Sequence, residues 1–184
     1  MKNALLVIDV QNIYKNGGLA VESWSEVVGN INTLIAKTKS AGDLIVYIKH
    51  EHKADGSDAG RMFDYSGEAG DLEFVKGTRD ADFIKELKMV DNAPVIVKNR
   101  YSSFVNTDLQ KLLQSQGIEK LTICGFMTNM CCEATARHAH DLDYFIDFAA
   151  SATGTPGTDD LSSAETIAAT CATLGAGYAK IVDI

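Results

Sequence analysis

No Pro/Ser-rich linker and no long run of like charge interrupts this 184-residue chain, so a single domain over residues 1–184 is expected. That length allows one well-buried core and is short for two. A basic excess is also missing. Seventeen Lys and Arg stand against 25 Asp and Glu, a formal charge of −8, whereas nucleic acid or an anionic membrane calls for a concentrated basic face. No apolar stretch approaches the roughly 20 residues of a bilayer span. Lys2 and the break at Asp9 do not make a signal peptide, so a cytoplasmic protein is expected. The cysteines, Cys124, Cys131, Cys132 and Cys171, show neither zinc-ribbon spacing nor a disulfide framework and read as reduced thiols. Glycine-rich phosphate fingerprints are absent, so no nucleotide cofactor is expected.

What is present is alternation. Apolar runs of about five residues alternate with helical periodicity, the pattern of βαβ units. Strands are expected at Ala4–Asp9, Leu44–Ile48, Pro94–Lys98, Leu121–Cys124, Tyr144–Phe148 and Ala179–Val182. Ser23-Trp24-Ser25-Glu26 reads as a capping box before a helix that Gly42 ends, and Ser162 to Glu165 reads as another helix start. Phe83, Ile84 and Leu87 suggest a short helix, and Val105, Leu109, Leu112 and Leu113 share another helical face. Residues 50 to 78 have no period and read as a functional loop or lid. The fold class is therefore α/β, a three-layer α/β/α Rossmann-like arrangement on a six-stranded parallel sheet. Right-handed crossovers gather the carboxyl ends of all strands on one edge, where ligands bind at the reversal of strand order.

Three chemistry-bearing residues lie at such ends. Asp9 closes the first strand, Lys98 closes the third, and Cys131 follows Gly125, where a strand breaks and a helix restarts. At a helix N-terminus the dipole and free N–H groups favour thiolate over thiol. Singly, each has a plainer reading as a cap, a solvated cation or a buried thiol.

Asp9-Val10-Gln11-Asn12, then Val97 to Phe104, then Gly125 to Arg137 resemble the three signature segments of the isochorismatase-like cysteine hydrolases, in order and spacing over nearly the whole chain. The resemblance implies an Asp9–Lys98–Cys131 triad and a non-proline cis peptide joining Phe126 to Met127. It also implies an oxyanion hole from the Met127 and Cys131 N–H groups. Cys132 is the rival nucleophile, and the motif favours Cys131. Departing from the family's usual Asp-Phe, Ile13-Tyr14 follows Gln11-Asn12 here.

Around these, Gln11, Tyr14, Tyr101, Phe104, Phe126 and Thr128 are expected to bind substrate, with core packing the other reading of the aromatics. His50 and His52 sit at the place where the nicotinamidase branch binds a metal through Asp-x-His. A third conventional ligand is missing, so no metal is expected and both are read as solvated or substrate-contacting. His138 and His140 are read as surface or interface residues. The expected activity is cofactor-free hydrolysis of a small-molecule amide, ureide or carbamoyl C–N bond in a homo-oligomer. Vinyl-ether hydrolysis of the isochorismatase type and a catalytically silent binding module are the alternatives.

Overall fold

The structure is a computed structural model that describes residues 1–184 except Tyr65, Ser66, Glu68 and Ala69. Those four fall inside the expected lid, so that part of the expectation lies outside the described residues. Six strands form one parallel sheet: β1 (Asn3–Ile8), β2 (Leu44–His50), β3 (Val95–Lys98), β4 (Lys120–Phe126), β5 (Phe145–Gly154) and β6 (Lys180–Val182). Their order is β3-β2-β1-β4-β5-β6, and every pairing is parallel. The helices are α1 (Ile13–Asn16), α2 (Trp24–Ala41), α3 (Leu109–Ser115), α4 (Glu133–Asp141) and α5 (Ser163–Gly175), with a π-helical turn at Thr128–Cys132.

The two-sided burial of a parallel sheet explains why β1 is an unbroken apolar run. Side chains alternate across it. Ala4, Leu6 and Ile8 enter a core with Leu109 and Leu113 of α3, Ala136 and Ala139 of α4 and Leu174 of α5. Leu5 and Val7 enter a second core with Val27, Val28, Ile31 and Ile35 of α2. Three layers result, as the α/β pattern predicts.

Local expectations fared unevenly. Gly42 takes φ 74° and ends α2, and Ser162 and Glu165 form a complete capping box on α5. Ser23 makes no side-chain cap bond. Its φ −84° and ψ 12° lie outside the extended region from which an N-cap oxygen reaches the first turn. No helix forms at residues 83–87. Phe83 instead bridges to Gln11, the Ile84 N–H donates to the Val10 carbonyl, and Ile84 and Leu87 are buried in the second core. Three apolar residues there earn burial without repaying helix nucleation. Val105 stays outside α3 because Asn106, at φ 57°, interrupts a right-handed helix.

Strand order reverses between β1 and β4, and Gly125 sits at that point, aligned with Ile8. Its φ is +123°, and a Cβ there would lie 1.9 Å from the Ile8 carbonyl oxygen. The close approach of these backbones therefore requires glycine. Gly125→Ala is expected to destabilise the fold by about 3 kcal/mol or more, read from urea unfolding. Gly29→Ala on α2, with nothing within 4 Å, is expected to add up to about 1 kcal/mol.

Candidate active site

At the carboxyl edge of the sheet, backbone geometry aims the side chains. Asp9 follows β1 at φ 51°, a left-handed conformation that Asp tolerates better than most residues. Lys98 ends β3, two strands from β1, a gap of about 10 Å at the usual strand spacing. Its long side chain crosses that gap beside His50, which ends the intervening β2 and is register-paired with Lys98. Cys131 lies on the π-helical turn after β4, where the Cys132 N–H reaches the Met127 carbonyl at 3.2 Å. The sequence predicted a helix restart here. The wide turn comes first, and α4 proper begins at Glu133.

The three predicted side chains meet. Lys98 Nζ is 2.7 Å from Asp9 Oδ2 and donates to Cys131 Sγ at 3.2 Å. It also donates to the Arg100 carbonyl at 3.0 Å and faces His50 Nδ1 at 3.3 Å. Four acceptors compete for three ammonium hydrogens. The contact with Asp9 is close in distance but poorly aligned, since neither Asp9 oxygen has a hydrogen bond of good angle among the described residues. We treat it as an ion pair held by charge. Asp9 and Lys98 are fully buried and Cys131 is 3% exposed.

Burial sets the protonation states. It pushes the Asp9 carboxyl up, and Lys98 opposes the rise. Burial alone would lower Lys98, but Asp9 and Cys131 hold its ammonium above the ordinary lysine range. Burial pushes the Cys131 thiol up to about 12 despite Lys98. This reverses the expected acidic thiol: in the closed site desolvation outweighs the adjacent cation. Cys132 is fully buried, and burial raises its thiol well above the ordinary range; Cys124 is buried with its thiol against the Leu6 carbonyl at 3.5 Å.

Tyr14 is buried, its ring stacked on Phe126 at 5.0 Å and tilted against Phe74 at 5.9 Å. Burial, followed by the nearby thiol and Asp9, raises its hydroxyl. Thr128 donates to the Thr153 hydroxyl at 2.9 Å. Phe104 packs in the same core as Cys131, whereas Tyr101 is 41% exposed. Gln11 gives both amide hydrogens to backbone carbonyls, His50 at 2.8 Å and Ala81 at 2.7 Å, and accepts the His50 N–H at 2.9 Å. Its amide hydrogens are thus engaged in holding the β1 end to the β2 end and to Ala81. The Phe126–Met127 peptide is cis.

His50 and His52 are each 1% exposed, so the solvated reading fails. His138 is half-buried, bonded through Nδ1 to the Ser102 hydroxyl at 2.9 Å, and His140 is exposed. Phe74, whose ring stacks on His50 at 4.3 Å, was missed because the aperiodic segment around it offers no local signal. His50 had one: it closes a strand lying between those of Asp9 and Lys98. Two surface depressions, of about 520 and 540 Å³, line the opposite strand ends near Asn3 and Lys120. A smaller one of about 220 Å³, lined by His52, Asp58 and Asn99 among others, reaches Lys98.

Lys98→Met would leave the Asp9 charge buried without its cation. Destabilisation of about 3–5 kcal/mol is expected at pH 8. An acid whose folded pKa is raised stabilises at low pH and loses that contribution as pH climbs through it. Removing Lys98 raises Asp9 further, so the loss should shrink at pH 5; urea unfolding at both pH values reads it.

The Isochorismatase domain model matches residues 3–175. Nicotinamidase 3 of Arabidopsis thaliana is 32% identical over 182 residues, covering 98% of this chain and 84% of that protein. Ureidoacrylate amidohydrolase RutB of Klebsiella pneumoniae is 31% identical over 164 residues, 78% of this chain and 70% of that one. Among solved structures, the pyrazinamidase of Pyrococcus horikoshii in complex with zinc superposes with a TM-score of 0.83 at 26% identity, covering 100% of both chains. With its three side chains converging at the strand reversal and this match along nearly its whole length, the chain belongs to the isochorismatase family.

Proposed function

We propose that the protein is a cysteine amidohydrolase that cleaves the C–N bond of a small amide, ureide or carbamoyl compound through a thioester. The observation that carries this is the buried meeting of Cys131 Sγ, Lys98 Nζ and Asp9. The relatives above bear nicotinamidase, pyrazinamidase and amidohydrolase names. A retained thiol at the family's nucleophile position favours C–N cleavage over vinyl-ether hydrolysis.

The steps follow from the protonation states. Asp9, with two under-used acceptor oxygens beside the thiol, takes the Cys131 proton as sulfur attacks the carbonyl carbon. The Lys98 ammonium stabilises the sulfur while its charge lasts. The Met127 and Cys131 N–H groups are the proposed oxyanion donors. When the tetrahedral adduct collapses, the C–N bond breaks and the amine leaves with the proton from Asp9. Water then attacks the thioester and gives its proton to Asp9. The second collapse releases the acid, and the sulfur recovers its proton.

The Pyrococcus horikoshii enzyme's zinc raises the question of a metal at His50 and His52. A zinc set needs three or four protein donors around one point. Among the described residues the three-donor cluster is Asp9, His50 and Cys131, of which Asp9 and Cys131 are the proposed base and nucleophile. The second nitrogen of His52 faces Asp58 at 3.3 Å. These residues do not fit a zinc set, and no step is routed through a metal.

Cys131→Ala is expected to cut ammonia release by about 10³-fold or more with an unchanged circular-dichroism spectrum, and Asp9→Asn by at least about 10²-fold. The assay is an ammonia-release screen over nicotinamide, ureides, biuret and carbamoyl amino acids. Full activity in Cys131→Ala, or pyruvate release in place of ammonia, would refute the proposal.

A further inference from the structure

The two buried histidines have no part in these steps, yet they connect the triad to the surface. His50 Nδ1 lies 3.3 Å from Lys98 Nζ. His50 Nε2 lies 2.9 Å from His52 Nε2, and His52 Nδ1 lies 3.3 Å from Asp58 Oδ1. Asp58 is 20% exposed and also accepts the Lys53 N–H at 3.1 Å. Arg100 pins this loop by donating to the Asp58 carbonyl at 2.6 Å.

The ends of this chain fix every hydrogen within it. An ammonium has no lone pair, so Lys98 can only donate and His50 Nδ1 must be bare. The His50 proton then sits on Nε2 and points at His52 Nε2, which must accept. His52 therefore carries its proton on Nδ1, aimed at the Asp58 carboxylate. An extra proton on His50 would set an N–H against the ammonium. Asp9, Lys98, Cys131, His52 and Arg100 are the charged or titratable groups facing His50, and His50, Asp58, Lys98 and Arg100 those facing His52. Burial foremost, then the cations Lys98 and Arg100, keeps His50 neutral. Burial likewise lowers His52 against the opposing pull of Asp58.

We propose that His50, His52 and Asp58 are positioning residues, a hydrogen-bonded chain of one fixed polarity that orients the Lys98 ammonium toward Asp9 and Cys131. This deepens the amidohydrolase reading, since the orientation matters for catalysis only if Lys98 serves that thiol. The chain explains why two imidazoles can be buried beside a cation: each nitrogen meets a partner of the opposite hydrogen-bonding kind. It also gives Asp58, in the segment after β2, a chemical task.

The chain itself is read without substrate. In ¹⁵N-labelled, chelator-treated protein at pH 7, long-range ¹H–¹⁵N spectra of the four histidines should show His50 neutral with its proton on Nε2. His52 should be neutral with its proton on Nδ1, the rarer form of free imidazole. Single His→Gln variants assign the signals. Asp58→Ala should abolish the Nδ1–H form of His52, and Asp58→Asn, which still offers an acceptor oxygen, should keep it. On a substrate from the ammonia screen, Asp58→Ala should lower kcat about 10- to 100-fold with KM little changed, and Asp58→Asn should recover most of the loss. An imidazolium at either position, or Nε2–H on His52, overturns the chain. So does stoichiometric zinc that survives desalting and shifts both rings. Normal kcat in Asp58→Ala overturns the positioning role. If the wild-type protein releases no ammonia from any amide, the amidohydrolase reading and the positioning role that rests on it fall together, while the spectra still decide whether the chain exists.

Discussion

A lysine and an aspartate lie wholly out of water at the carboxyl edge of this sheet, and neither tolerates that position without the other. Taking two charges from water costs several kcal/mol per ion, and only their mutual attraction and the surrounding acceptors offset it. Lys98 has Asp9, Cys131, the Arg100 carbonyl and His50 around it. The arrangement leaves the carboxylate under-bonded and the thiol protonated, a state primed to move one proton from sulfur to oxygen when a carbonyl arrives.

The fold makes this meeting possible by its strand order. Parallel strands bring their carboxyl ends to one edge, and the reversal between β1 and β4 opens the gap where Asp9 and Cys131 face each other. Gly125 lets the two backbones approach there, and the β2–β3 register sets His50 beside Lys98. The Gln11 side chain then ties the β1 end to the β2 end through its bonds to the His50 backbone. Polar residues at this rim thus divide between those that react and those that hold reacting ones in place.

Much of this was legible in the chain. Six apolar runs marked the six strands; the central ones are apolar because both their faces are buried, whereas β3 and β6 lie at the edges and are partly exposed. The triad was legible because each member stands at a strand end within a recognisable segment. What misled was local and short: Ser23 offered cap chemistry without cap geometry, and Phe83, Ile84 and Leu87 had helical spacing but too few residues to sustain a helix. Gln11 reads from sequence as a substrate ligand because its type is polar and its place is the rim; its three side-chain bonds to the His50 and Ala81 backbone could not be read there.

Periodicity and motif order are local properties of the chain, and they were enough to read the layered α/β architecture, the family and the identity of the acid, the cation and the thiol. The protonated thiol, the burial of His50 and His52 against each other and the bonds of Gln11 to the backbone emerge from the folded molecule. Those outcomes depend on desolvation and on distances of about 3 Å between residues far apart in sequence, and no spacing along one strand or helix encodes either.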